Sequence, residues 1–213
     1  MKSQKFYSLY LSVIMIGVFI LQNLPGIPGF TDLFILNQRA LTNFEFYRFL
    51  TAIFLHGSTT HLLFNLFALF FFGLVLEKTI GTKRFMITFF ATGIIANIIS
   101  VNFYNSSLGA SGAIYGVIGA VAILRPMMMV FSFGAIIPMF LAAIIYVAAD
   151  ILRAFGAFGP TNVGSIAHLS GIAIGFLIGI YYRNKFKNPR KQKMEIKFDE
   201  NSMENWENNF MRS

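Results

Sequence analysis

The chain contains no cysteine, which excludes disulfides, thiolate metal sites and a cysteine nucleophile. Charge is also scarce. Only 12% of the 213 residues are charged and 56% are hydrophobic, against about 25% and 45–50% in a soluble domain. A water-facing surface cannot be built from this composition, so an ordinary cytosolic enzyme and a disordered chain are both excluded. There is no HExxH run, which excludes that class of zinc protease, and a single aspartate, Asp150, comes near an apolar span. What remains is a small membrane protein.

Crossing a hydrocarbon core of about 30 Å takes roughly 20 apolar residues in a helix. The gaps between charges give six spans. The first runs from Tyr7 to about Leu21, the second follows His56–Thr60 and ends near Leu76, and the third ends near Val101. The fourth begins at about Ser111, the fifth covers Pro126–Ala149, and the sixth starts near Val163 and ends at Tyr182. An even number of spans places both termini on one side. That side holds 14 of the 17 Lys and Arg residues, and the other holds Arg39, Arg48 and Arg153. Basic residues favour the cytoplasm, so both termini are expected there, with the plasma membrane as the location. The net charge of +8 is then a matter of orientation and of contact with anionic lipid, and no nucleic acid is expected as a partner. The N-terminus lacks a small-x-small cleavage site and reads as a retained helix. Residues 1–182 form the expected membrane domain, with a first outer loop over about 23–57 that lies in the interface or packs on the bundle. Residues 183–213 form a polar tail, basic and then acidic.

Polar groups at membrane depth are costly and usually functional. They are His61, Asn65, Asn97, Ser111, Tyr115, His168 and Ser170. Counting about 1.5 Å per residue from each cytosolic anchor puts Asn65 roughly 18 Å up, His61 24 Å, Ser111 21 Å and His168 22 Å. Four polar residues from three helices thus share one layer. His168 lies on a stripe with Gly164, Gly171, Gly175 and Gly179, and Gly112, Gly116 and Gly119 form another beside Ser111. Such stripes let helices approach closely. A serine hydroxyl needs an adjacent base, and His168 is at the right depth. An oxyanion needs preorganised donors, and His61, Asn65 and the Ser111 N–H at a helix N-terminus supply them. No carboxylate is expected at that depth, so the pair reads as a dyad. Asp150 and Arg153 read as a local pair without chemistry, Asn97 as an interhelical hydrogen bond, and His56 as a structural group in the first loop.

Three runs carry a resemblance. Gly109-Ala110-Ser111-Gly112-Ala113-Ile114-Tyr115 matches the GxSGxxY motif of rhomboid intramembrane serine proteases. His61-Leu62-Leu63-Phe64-Asn65 matches their HxxxN motif, and Ala167-His168-Leu169-Ser170-Gly171, with Gly175, their AHxxGxxxG motif. The chain resembles this family from about residue 45 to 182. The resemblance implies an all-α polytopic fold, a six-transmembrane-helix rhomboid-like bundle. It implies Ser111 as nucleophile, His168 as general base, and His61, Asn65 and the Ser111 backbone in the oxyanion hole. Tyr115 would pack on His168, with Gly109 and Gly112 in support, and no cofactor or metal is implied. Tyr47-Arg48 stands where many members have Trp-Arg, and would anchor the first loop. The substrates would be transmembrane segments of other proteins, entering between the second and fifth spans. Phe140, Tyr146 and residues 156–160 are then gating candidates. The alternative is a catalytically inactive rhomboid-like protein that binds membrane clients; loss of Ser or His marks such proteins, and both are present here. The fourth span is too short to cross alone, so residues 102–109 are expected to descend and to open a hydrophilic cavity over Ser111 from the outer side.

Overall fold

In the computed structural model the described residues are 6–26, 28–132, 134–157 and 164–187. The chain divides into two compact units, Met1–Arg183 and Asn184–Ser213, and every long helix among the described residues starts in the first.

Helix α1 (Tyr7–Gln22) opens the bundle. Its first turn has no acidic residue, yet its orphan N–H groups are satisfied from a distance. Buried Glu77 accepts from Tyr7 N (2.9 Å), Ser8 N (3.0 Å) and Ser8 Oγ (3.0 Å), and from Thr82 Oγ1 (2.8 Å). A carboxylate at a helix N-terminus meets both the free donors and the positive end of the dipole. One side chain therefore ties the start of the first helix to its own helix and to Thr82, where the following helix begins.

The segment between α1 and the next long helix is folded on the bundle. It contains α2 (Phe30–Phe34), β1 (Leu36–Asn37), α3 (Arg39–Thr42) and α4 (Arg48–Thr51). Arg48, 2% exposed, organises it. Its guanidinium donates to the carbonyls of Asp32 (2.9 Å) and Ile35 (2.8 Å) and pairs with the Glu45 carboxylate. Five fixed donors let one arginine gather backbone that would otherwise be unsatisfied. The anchoring expected of Arg48 thus has a specific set of partners. Asn97 Nδ2 donates to Phe49 O (2.9 Å). The expected interhelical bond is thus made to α4.

The next helix is α5 (Thr59–Ala68), capped by Ser58 Oγ accepting from His61 N. It runs through a π-helical turn, Leu69–Gly73, into α6 (Leu74–Ile80). Then follow α7 (Thr82–Ser100), the strand β2 (Ser106–Ser107) paired antiparallel with β1, and α8 (Ser111–Leu124). The Thr92 hydroxyl donates to Thr88 O and across to Ala113 O, which locks α7 on α8. Phe85, Phe89, Ile114 and Val117 fill that contact, each at most 2% exposed.

Residues 129–138 correct the expected fifth span. Met129–Ser132 (β3) and Ala135–Pro138 (β4) form an antiparallel hairpin turning near Gly134, and the helix, α9, is confined to Met139–Ala154. A short apolar run cannot be assigned to strand or helix by hydrophobicity alone. The last helix among the described residues, α10, covers Ser165–Lys187.

Thr59–Ile80, Thr82–Ser100 and Ser165–Lys185 are long and apolar enough to cross a membrane, and Tyr7–Gln22 and Ser111–Leu124 are shorter apolar helices. Many large apolar side chains face outward, among them Val13 (67% exposed), Phe64 (73%) and Leu177 (63%). Water would penalise such a surface; lipid does not.

Candidate active site

Helix α8 begins at Ser111, so the first N–H groups of the helix, Ser111 among them, have no intrahelical acceptor. Gly109 precedes it with φ +120. A Cβ there would lie 2.6 Å from Cε1 and 2.9 Å from Nε2 of His61. Only glycine satisfies both the backbone conformation and the close His61 ring. Gly109 N donates to Ala52 O (2.8 Å), which fixes the segment before α8 to the loop that follows α1.

His61 and Asn65 lie one turn apart on α5. Asn65 is buried, and its amide donates to His61 O (3.1 Å), which holds the side chain and leaves its second N–H to donate. The His61 ring sits edge-on to that of His56, centroids 5.2 Å apart. His56 binds Gln22 Oε1 through its backbone N–H (2.9 Å), and its Nδ1 lies 3.2 Å from Phe54 O. Its Nε2 is buried without a hydrogen-bond partner. Burial and the neighbouring His61 push the His56 pKa down to about 4, so it is neutral at physiological pH.

Helices α8 and α10 meet backbone to backbone. A Cβ on Gly171 would lie 2.0 Å from Gly112 O, and one on Gly175 would lie 2.1 Å from Gly116 O. A Cβ on Gly112 would lie 3.5 Å from Ala167 O. The residue after Ser111 and the residue before His168 are therefore neighbours. The His168 ring, 8% exposed, stacks on Tyr115 with centroids 4.1 Å apart and planes 12° from parallel. Tyr104 OH accepts from Ile166 N (3.0 Å) and holds the start of α10. Ser170 donates back to Ile166 O (2.6 Å) and takes no part in the site.

The expectation that no carboxylate reaches His168 is wrong. Nδ1 of His168 lies 3.2 Å and 3.3 Å from the two oxygens of Asp150, which is fully buried on α9. Arg153 Nη1 also donates to Asp150 Oδ1 (3.1 Å), so the expected local pair exists, but half of the cluster was missed. Along the sequence a charge marks the end of a span, whereas this aspartate turns into the bundle. The signal available in sequence was its residue type, ionisable and next to an apolar run.

Of the gating candidates, Phe140 is 42% exposed. Tyr146 OH is 2.9 Å from Ser132 Oγ, which joins α9 to the hairpin. Residues 158–160 of the proposed gating loop lie outside the described residues. Among the described residues no cluster of three or more His, Asp or Glu side chains could hold a metal ion. A cleft of about 570 Å³ between Lys78 and Arg125 opens at the far end of α8 from Ser111 and is remote from these groups.

A bundle of apolar helices enclosing a layer of serine, histidine and asparagine side chains defines an integral membrane protein with a polar interior site. Residues 43–185 match the rhomboid domain, and the chain belongs to the rhomboid family. Rhomboid-like protease 3 of Toxoplasma gondii is 31% identical over 160 residues, covering 70% of this chain and 56% of that protein. The putative rhomboid protease YdcA of Bacillus subtilis is 34% identical over 141 residues, covering 65% and 68%. The inactive RHOMBOID-like protein 8 of Arabidopsis thaliana is 36% identical over 88 residues, covering 40% and 25%. The chain spans between a quarter and about two thirds of the length of these relatives.

Proposed function

We propose that this protein is an intramembrane serine endopeptidase that cleaves transmembrane segments of other proteins. The observation that carries the proposal is the His168 ring, held between Tyr115 and Asp150 on a helix in backbone contact with the one that begins at Ser111. With Nδ1 engaged by a carboxylate, Nε2 is the nitrogen left to take a proton.

In this reading Ser111 Oγ attacks the scissile carbonyl carbon and passes its proton to His168 Nε2. The carbonyl π pair moves onto oxygen, where His61, the free Asn65 N–H and the Ser111 backbone N–H stabilise it. Collapse breaks the C–N bond, and the leaving nitrogen takes the proton back from His168. Water then attacks the acyl-enzyme through the same base. Desolvation strengthens each of these interactions, and the half-buried Ser111 is reached by water from the outer side. In this reading six helices cross the bilayer, residues 102–109 descend to meet α8, and both termini are cytosolic. Residues 1–182 form the membrane domain and the remainder a cytosolic tail, and the protein resides in the plasma membrane.

The test is cleavage of a generic single-span substrate by detergent-purified protein, compared with Ser111→Ala. Wild-type cleavage that is absent from the variant is expected. Equal cleavage by both would overturn the mechanism. No cleavage by either, with substrate retained on the protein, would favour a client-binding role.

A further inference from the structure

The carboxylate of Asp150 touches the base of this mechanism, and what that contact does to the imidazole can be carried further. Asp150 is fully buried. A buried carboxylate is costly unless well partnered, and the Arg153 pair alone engages only one of its oxygens at 3.1 Å. Both oxygens lie at nearly equal distance from His168 Nδ1, 3.2 and 3.3 Å, and the Tyr115 hydroxyl lies beside the same carboxylate. The bond joins residues 18 positions apart on two helices. It is therefore a tertiary contact and does not follow from the local helix pattern.

We propose that Asp150 is a positioning residue for His168, so that the site works as a Ser111–His168–Asp150 triad. The inference rests on the serine protease reading above. A carboxylate can only accept, so Nδ1 must carry the N–H, and a neutral imidazole has just one. The tautomer with a bare Nε2 is thereby selected before substrate arrives. When Nε2 takes the Ser111 proton, the imidazolium forms beside a negative charge. Asp150 itself takes no proton: the one leaving Oγ stays on Nε2 until the amine departs with it. Tyr115 stacking fixes the ring plane, and Asp150 fixes rotation within it. Two independent restraints on one ring from α8 and α9 are what a base held at a single attack geometry requires.

The experiment compares Asp150→Asn with Arg153→Gln in purified protein, alongside wild type and Ser111→Ala. Asp150→Asn should lose turnover by about 10²–10⁴-fold with KM within a few-fold of wild type. Arg153→Gln, which removes the local ion pair but leaves the His168 contact, should retain turnover within a few-fold. A purely structural ion pair predicts equal losses in both and would overturn the proposal. So would Asp150→Asn with wild-type kcat. A second readout needs no activity. The chain has three histidines, so ¹⁵N-histidine labelling with His168→Ala for assignment reports the tautomer directly. A protonated Nδ1 on His168 that is lost in Asp150→Asn supports the assignment; a protonated Nε2 in the wild type refutes it, even if a variant folds poorly. If the wild type does not cleave, or Ser111→Ala does, the protease reading fails instead, and the tautomer result still stands on its own.

Discussion

Replacing Gly171 by alanine tests the α8–α10 contact on which the site depends. The added Cβ would lie 2.0 Å from Gly112 O and 2.9 Å from Gly112 C. Real Cβ atoms essentially never come within 3.0 Å of such neighbours, so the two helices must part by at least about 1 Å. The obstructing atoms are backbone, and no side chain can swing aside. Gly112 follows Ser111 directly and Gly171 lies one turn after His168, so the separation falls on the proposed nucleophile and base. A misplacement of about 1 Å costs on the order of 10²-fold in rate, and overpacking costs about 1–3 kcal/mol of stability. Turnover of a single-span substrate and thermal unfolding in detergent measure the two effects. Gly17→Ala is the control, since nothing lies within 4 Å of a Cβ there. It should leave turnover unchanged and cost no stability, because alanine is the better helix former by up to about 1 kcal/mol. If Gly171→Ala keeps wild-type kcat and Tm, the helices do not meet as described.

Two further outcomes follow from other parts of the bundle. Glu77→Ala strips the acceptor from Tyr7 N, Ser8 N, Ser8 Oγ and Thr82 Oγ1, and should cost about 1.5–3 kcal/mol, read as a lower Tm with the His168 tautomer unchanged; an unaltered Tm would show that α1 is held by packing alone. In the cysteine-free chain, single cysteines at Ser107 and Ser111, both half-buried, should react with a membrane-impermeant thiol reagent from the outer side only, and one at Ile118, 3% exposed, from neither. Labelling of position 111 from the cytosolic side would reverse the topology, and labelling from neither side would argue against a water-fed hydrolase.

The polar layer was legible in the sequence because a helix converts residue count into depth, and because polar groups in an apolar helix stand out one by one. That arithmetic singles out His61, Asn65, Ser111 and His168 as candidates. The glycine stripes were legible for a related reason: spacings of three and four define a helix face whatever the helix packs against. The hairpin at 129–138 was not, since an apolar run carries no mark of strand or helix when both of its faces avoid water. Glu77 read as the end of a span, and its capping of α1 required two helices to be placed together. Asp150 read the same way. Charge counts locate a carboxylate along its own helix, but whether it faces water or a histidine 18 residues on depends on how α9 is rotated against α10. That rotation is set by side-chain packing summed over the whole interface, a quantity that no single stretch of sequence contains.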